Sequence, residues 1–406
     1  MKILVLDEWI PYPLISGKRL RSYHLLARAA RNHEITYLCF EDRSEEAAAR
    51  AHMESLGMKV VSLERRDPFV PSYKLYWLTA ANLFSRMPLV MRKHFKHDYL
   101  EQLNRLVRGE KFDLIHCEWT HYGVYTSDLG DHPLFLSSHN VEAMPWERLY
   151  VHERNPVKKV LLGLEWRKMV AFEKEVCSRF HHISAVSEDD RKKLMSLYGC
   201  ESVTIIPNGV DVSYYDFSLR EPAGRTLVFS ASFDAFVNQD AVRYFMDSIF
   251  PRIAEQAPET NVLFLGKDPP LSLRKYTSEK VSFTGVVADV RPYLSRSSVC
   301  IVPIRVAGGS RIKILEAMAA GLPVVSTPEG AEGLDICHGE HVLIAQNETE
   351  FAKLALGCMS NRELVEQLCT RARGLVEKNY DWEVIAPRLE SAWEETVERF
   401  SRKKAP

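Results

Sequence analysis

"VTIIPNGVDVSYYDFSLREPAGRTLVFSA", residues 203–231, decides how the chain is organised. It opens on a β-branched run, "VTIIP" (203–207), and closes on another, "TLVFSA" (226–231). Between them "PNGVDVSYYDFSLREPAG" (207–224) is rich in turn residues and has no period, so one series of strands ends here and a second begins. Upstream lie "ILVLD" (3–7), "EITYLCF" (34–40), "KVVSLE" (59–64), "FDLIHCE" (112–118), "LFLSSH" (134–139) and "HHISAVS" (181–187). Downstream come "NVLFLG" (261–266), "VSFTG" (281–285), "VCIVPI" (299–304), "PVVST" (323–327) and "HVLIA" (341–345). Their apolarity is continuous rather than alternating, which suits strands covered on both faces by helices and hence parallel sheets.

The reading predicts an α/β protein with two Rossmann-like, doubly wound domains facing across a cleft. The first spans 1–207 and the second 208–380. Residues 381–406 form a terminal helix that packs back toward the first domain, since "NYDWEVIAPRLESAWEETVERF" (379–400) has apolar residues at helical spacing. Ligands of such sheets gather at the carboxyl ends of the strands.

Bulk composition narrows the partners. Over 406 residues, Lys+Arg is 53 against Asp+Glu 54, a balance that gives no reason to expect nucleic acid. The eight cysteines are scattered, without a C-x-x-C, and read as reduced thiols of a cytoplasmic protein rather than disulfides or a zinc site. "MKILVLDEWI" reads as a first strand and not a signal peptide, and no run approaches the ~18 apolar residues a membrane span needs. Membrane contact, if made, is peripheral, at the inner face. The stretch 73–112, with Arg86, Arg92, Lys93, Lys96, Arg105 and Arg108 among aromatic and apolar residues, could meet an anionic membrane or a lipid-linked acceptor, or be a solvated helix face over its own core. Both readings stay open.

The chemistry concentrates in "GGSRIKILEAMAAG" (308–321). Gly308 and Gly309 let a ligand approach the backbone, Ser310 precedes a strong helix former, and the helix start offers free N–H groups. Arg311 and Lys313 add two cations and make an anion site suited to a diphosphate. Glu316, read as an exposed helical residue one to two turns in, suits a vicinal diol such as ribose. The alternative, solvated cations beside a helix-capping acid, stands beside it.

"GGSRIKILEAMAAGLPVVSTPEGAEGLD" (308–335) closely resembles the donor-site segment of retaining family 4 glycosyltransferases of the GT-B fold. "PYPLISGKRLR" (11–21), "SSHNVEA" (137–143), "AVSEDDRKKL" (185–194), "IPNGVD" (206–211), "FSASFDAFVNQDAVRYF" (229–245) and "FTGVVADV" (283–290) extend the likeness over nearly the whole chain. The resemblance implies a metal-independent hexosyltransferase with no resident cofactor, whose co-substrate is a UDP- or GDP-linked sugar and whose acceptor is a glycan, a lipid-linked or a small molecule. It implies that Arg311, Lys313 and His139 act in catalysis. Gly17, Ser232, Gly285, Val286, Val287, Gly308, Gly309, Ser310, Ile312, Leu315 and Glu316 would hold the donor, and Lys18, Arg21, His116 and Glu118 the acceptor, with no metal ligands. The chain departs from the family at Gly308, where an acid is usual, after the first strand of the second domain, where "SFDAFVN" carries no cation, and at Gly17-Lys18, where two glycines are usual. D-x-D and G-x-G are both absent, which disfavours a metal–diphosphate site and a dinucleotide fingerprint. A nucleotide-sugar epimerase of the same fold and a catalytically silent nucleotide-binding subunit remain as alternatives.

Overall fold

Ile3, Leu4, Val5 and Leu6 have no exposed surface, as a strand at the centre of a doubly covered sheet requires. The structure is a computed structural model and describes residues 1–41, 46–64, 82, 85–217, 224–267, 269–306 and 311–404. The chain divides into two units, Met1–Ile206 with Ala386–Pro406, and Pro207–Ile385.

In the first unit seven parallel strands, β1 (Lys2–Trp9), β2 (Glu34–Glu41), β3 (Lys59–Glu64), β4 (Leu114–Cys117), β5 (Leu134–Ser137), β6 (His182–Ala185) and β7 (Val203–Ile205), run in the order β3-β2-β1-β4-β5-β6-β7. In the second, β8 (Thr226–Ser230), β9 (Asn261–Leu265), β10 (Val281–Phe283), β11 (Val299–Val302), β12 (Val324–Ser326) and β13 (Leu343–Ile344) run β10-β9-β8-β11-β12-β13. Each apolar run read from the sequence coincides with one of these strands; β1 and β2 run past theirs, β3 matches its own, and the others are trimmed where the chain turns out of the ladder. The two parallel α/β sheets are those predicted.

Both orders reverse once, between β1 and β4 and between β8 and β11. Connections leave in opposite directions at such a point and open a crevice at the carboxyl ends of the two strands. Register fixes what lies there: Leu6 of β1 stands opposite Cys117 of β4.

Helices form where local chemistry starts and stops them. Glu188–Tyr198 is capped by Ser187, whose Oγ accepts from the Asp190 N–H at 3.1 Å, has three acids in its first turn, and ends at Gly199 with φ 73°. His97–Gly109 lays Tyr99, Leu103 and Leu106 on the core, so the apolar face of that part of 73–112 is already used; residues 73–81 and 83–84 of the stretch lie outside the described residues. The helix Trp382–Lys404 begins in the second unit and, from Ala386, belongs to the first. There Trp393, without exposed surface, meets the rings of His33 and His116 edge-on, each at 5.5 Å. All eight cysteines are free and six are buried. Among the described residues no helix is long and apolar enough to cross a membrane.

Candidate active site

In the second unit the helix Ile312–Ala319 follows β11 at the reversal. Ile314, Leu315, Ala317 and Met318 are buried and hold it to the sheet, which leaves Lys313 and Glu316, three residues apart, on one remaining face. Lys313 Nζ lies 4.4 Å over the Phe229 ring of β8 and 3.4 Å from Asn238 Oδ1. The Asn238 amide in turn donates to the Ser232 carbonyl at 2.8 Å, and Ser232 Oγ to Asp234 at 2.5 Å. Burial, and then the charge of Arg311 beside it, pull the Lys313 ammonium down to about 7. Arg311 itself is buried at the N-cap of the helix.

Glu316 departs from the sequence reading, which had it exposed. It is half-buried and hydrogen-bonded to the Tyr215 hydroxyl. Burial raises its carboxyl, and the Tyr215 hydrogen bond and Lys313 oppose that rise. The side chain of Leu315 has no exposed surface and serves the core. Ile312 is partly buried, Val286 is exposed, and Gly285, with φ 73°, turns the chain after β10 beside Val287. Gly266, opposite Gly285, has φ 143°, and a Cβ there would lie 1.9 Å from the Ala231 carbonyl oxygen, so the loops after β8 and β9 close up only on glycine. Gly308, Gly309 and Ser310 lie outside the described residues.

In the first unit the reversal gathers a network of acids and bases. Gly17 opens the helix Gly17–Ala29, capped by Ser16. Lys18 reaches back to Asp7 of β1 at 2.5 Å and lies 4.4 Å over Trp119. Asp7 also accepts from Tyr37 at 2.5 Å. Just past β4, Glu118 accepts from Ser22 at 2.8 Å and pairs with His116 at 2.8 Å and His139 at 3.2 Å. Burial pushes the Glu118 carboxyl up, but the hydrogen bonds and charges of His116 and His139 outweigh it and hold the group well below the usual carboxylate range. Arg21 is fully buried, which pulls its guanidinium down to about 10 against the opposing charge of Glu118.

Arg21, His116 and Glu118 were expected to touch an acceptor. The structure brings them together with His139 and buries all three. His139 alone of this cluster keeps about a tenth of its side chain exposed.

Other residues enter that the sequence reading did not single out. Trp119 Nε1 donates to Glu142 at 2.8 Å, and Glu173 accepts from the backbone N–H groups of Glu142 and Ala143 and from the Tyr198 hydroxyl. Burial raises Glu142 to about 7, with the charge of Glu173 adding to it; burial likewise raises Glu173 to about 7 against its donors. "SSHNVEA" contained Glu142, and its place three residues after His139 was the available signal. Among the described residues one trio, Cys337, Glu340 and His341, brings metal-ligating atoms within 4.8 Å of one another, on the turn before β13.

Residues 21–214 match the family described as Glycosyltransferase Family 4, and residues 224–361 the one described as Glycosyl transferases group 1. The chain is 20% identical over 394 residues to an uncharacterized 44.6 kDa protein in the cps region of Klebsiella pneumoniae, covering 94% of this chain and 96% of that one. It is 26% identical over 221 residues to the phosphatidyl-myo-inositol mannosyltransferase of Mycobacterium leprae, covering 52% of this chain and 58% of that protein. Anabaena HepE, solved in complex with UDP and glucose, shares the fold with a TM-score of 0.67 at 16% identity, over 97% of this chain and 99% of that one. One family match lies on each of the two sheets: the chain belongs to the family 4, group 1 glycosyltransferases, of GT-B architecture.

Proposed function

We propose that this chain transfers a sugar from a uridine diphosphate sugar to a hydroxyl of a glycan or lipid-linked acceptor, with retention of anomeric configuration and without a metal. The observation that carries the reading is the cation pair Arg311 and Lys313 followed by Glu316 on the helix that faces the reversal of the second sheet. A diphosphate brings the anionic charge that relieves the repulsion between Arg311 and Lys313, and the glutamate suits the ribose diol. That UDP rather than another nucleotide is the carrier is supported by HepE, solved with UDP and glucose. The acceptor class follows the mannosyltransferase relative and the cps-region relative.

In this reading the bond from the sugar C1 to the diphosphate oxygen breaks as the acceptor oxygen bonds to C1 on the same face. The acceptor's proton passes to the departing phosphate oxygen, so the chain needs no protein nucleophile. Arg311 and Lys313 stabilise the charge that grows on the leaving diphosphate, taking the part a divalent cation plays elsewhere. His139, held by Glu118, faces the sugar; backbone at Gly285, Val286 and Val287 meets the base; Ser232, Gly17, Gly308, Gly309 and Ser310 line the donor. Lys18 and Asp7 border the acceptor.

The test is a panel of UDP-sugars with glycan and lipid-linked acceptors, with and without chelator, following UDP release and the anomeric proton of the product. Transfer with retention in the presence of chelator is the expected result. Inversion, a chelator-sensitive rate, or turnover without acceptor would each overturn the corresponding part.

A further inference from the structure

The helix Pro156–Cys177 is used unevenly. Its buried residues, Met169, Phe172, Glu173, Val176 and Cys177, all lie in the C-terminal half. The first thirteen residues, about 18 Å of helix, have no fully buried side chain; they pack on the helix Ala143–His152 and, through Glu165 and Lys168, meet Asn82 and Leu89. The two form a rigid hairpin: Tyr150 stacks on Trp166 at 5.6 Å, and a Cβ at Gly163 would come within 3.0 Å of Tyr150. Asn155 caps the second helix, and Glu153 accepts from the Asn155 N–H at 2.8 Å, which fixes the tip.

At that tip apolar side chains stand in solvent. Val157 is 69% exposed, Val160 63%, Val151 57%, Leu149 51% and Leu161 36%. Val157, Val160 and Leu161 fall on one face at i, i+3 and i+4. Because the hairpin is internally packed, these residues are not surplus core; they are presented. Arg154, Lys158 and Lys159 alternate with them, against Glu147 and the Glu153 already engaged at the tip, in a chain whose formal net charge is −1. An exposed apolar cluster ringed by cations matches the boundary of an anionic bilayer, where aliphatic side chains enter the acyl region and ammonium and guanidinium groups meet lipid phosphates.

We propose that this hairpin tip, residues 149–161, docks the protein on an anionic membrane surface. The region differs from the stretch 73–112 that the sequence had pointed to, and the inference does not rest on the catalytic reading, since vesicle binding needs no turnover.

Flotation of the full-length chain with vesicles of phosphatidylcholine and phosphatidylglycerol, compared with phosphatidylcholine alone, tests it. Wild type is expected to float with the anionic vesicles and to be released by salt. Val157→Asp with Val160→Asp should lower the bound fraction at least about tenfold, and Lys158→Glu with Lys159→Glu should do the same on anionic vesicles only. Val157, Val160 and Lys158 are exposed and Lys159 lies partly buried over the Tyr150 ring at 5.3 Å, so unchanged thermal unfolding and donor binding would show that the fold is kept. Absence of flotation by wild type, or flotation untouched by both double variants, would overturn the proposal. So would a dimer in sedimentation that the valine variants abolish, because the tip would then be covered by a second copy.

Discussion

The ammonium of Lys313 lies 4.4 Å over the ring of Phe229 and so ties the helix after β11 to β8 across the reversal of the second sheet. The ring face partly replaces the water that Lys313 has lost. It does not remove the repulsion from Arg311, and the result is a cation whose proton is loosely held near neutrality.

UDP binding should therefore draw in a proton. In the free protein Lys313 loses its proton through about pH 7, below its ordinary value, so its contribution to stability is present at high pH and lost as pH falls through 7. A bound diphosphate favours the charged form. Calorimetry at pH 8 in buffers of different ionisation enthalpy should report proton uptake that fades by pH 6, and Lys313→Met should abolish it. Buffer-independent heats in wild type at pH 8 would contradict this.

Replacing either cation should affect turnover more than binding. Arg311→Ala or Lys313→Ala is expected to lower kcat by something on the order of 10²–10³-fold with a smaller change in KM. Arg311→Lys should restore only part of it, because an ammonium lacks the guanidinium fork. Near-normal kcat in both alanine variants would place diphosphate stabilisation elsewhere.

Loss of Glu316 should weaken the nucleotide. A charge-assisted hydrogen bond of about 1.5–3 kcal/mol predicts that Glu316→Ala raises the Kd for UDP about 10- to 150-fold. Since Glu316 is half-buried against Tyr215, the same variant should also shift thermal unfolding, which an exposed helical glutamate would not do. Titrations with uridine and with UDP separate the two effects: an equal loss for both is the expected outcome, and a loss confined to UDP would point to the diphosphate instead.

Two sets of carboxylates in the first unit should pull the pH dependence of stability in opposite directions. Glu118 is held below its ordinary range, so its stabilisation is present above the unfolded value and lost as pH falls through the folded one. Glu142 and Glu173 are raised to about 7, so their contribution is full below the unfolded value and is lost as pH rises through 7. Resistance to thermal unfolding should thus be greatest near pH 5. Glu142→Gln should flatten the decline between pH 5 and 8, and Glu118→Gln should cost about 3–5 kcal/mol by removing the buried carboxylate that pairs with His116 and His139. A decline unchanged in Glu142→Gln would remove the buried acid from this account.

The fold was legible because the signal for a doubly covered strand is local: "ILVLD" or "VCIVPI" carries its burial in five or six consecutive residues. The donor side was legible in part for the same reason, since Arg311, Lys313 and Glu316 share one helix. Their partners were not. Tyr215, Phe229 and Asn238 reach that helix from other elements, and no local pattern says that they meet it. Ser22 and Glu118 are 96 residues apart and meet only because β1 and β4 are neighbours in the sheet. The burial of Arg21, His116 and Glu118 was not legible, because a charged residue reads as exposed until its counter-charges are known.

The path of the chain has a consequence for biosynthesis. The unit that leaves the ribosome first needs residues 386–404, with Trp393 against His33 and His116, to fill its core, whereas the second unit is contained between Pro207 and Ile385. The later-made unit can therefore finish folding first, while the earlier one waits with a gap at His33 and His116. A nascent chain stalled before Trp393 would display a nearly complete donor-side unit beside an open N-terminal one, and it is that interval in which a chaperone would find this protein exposed.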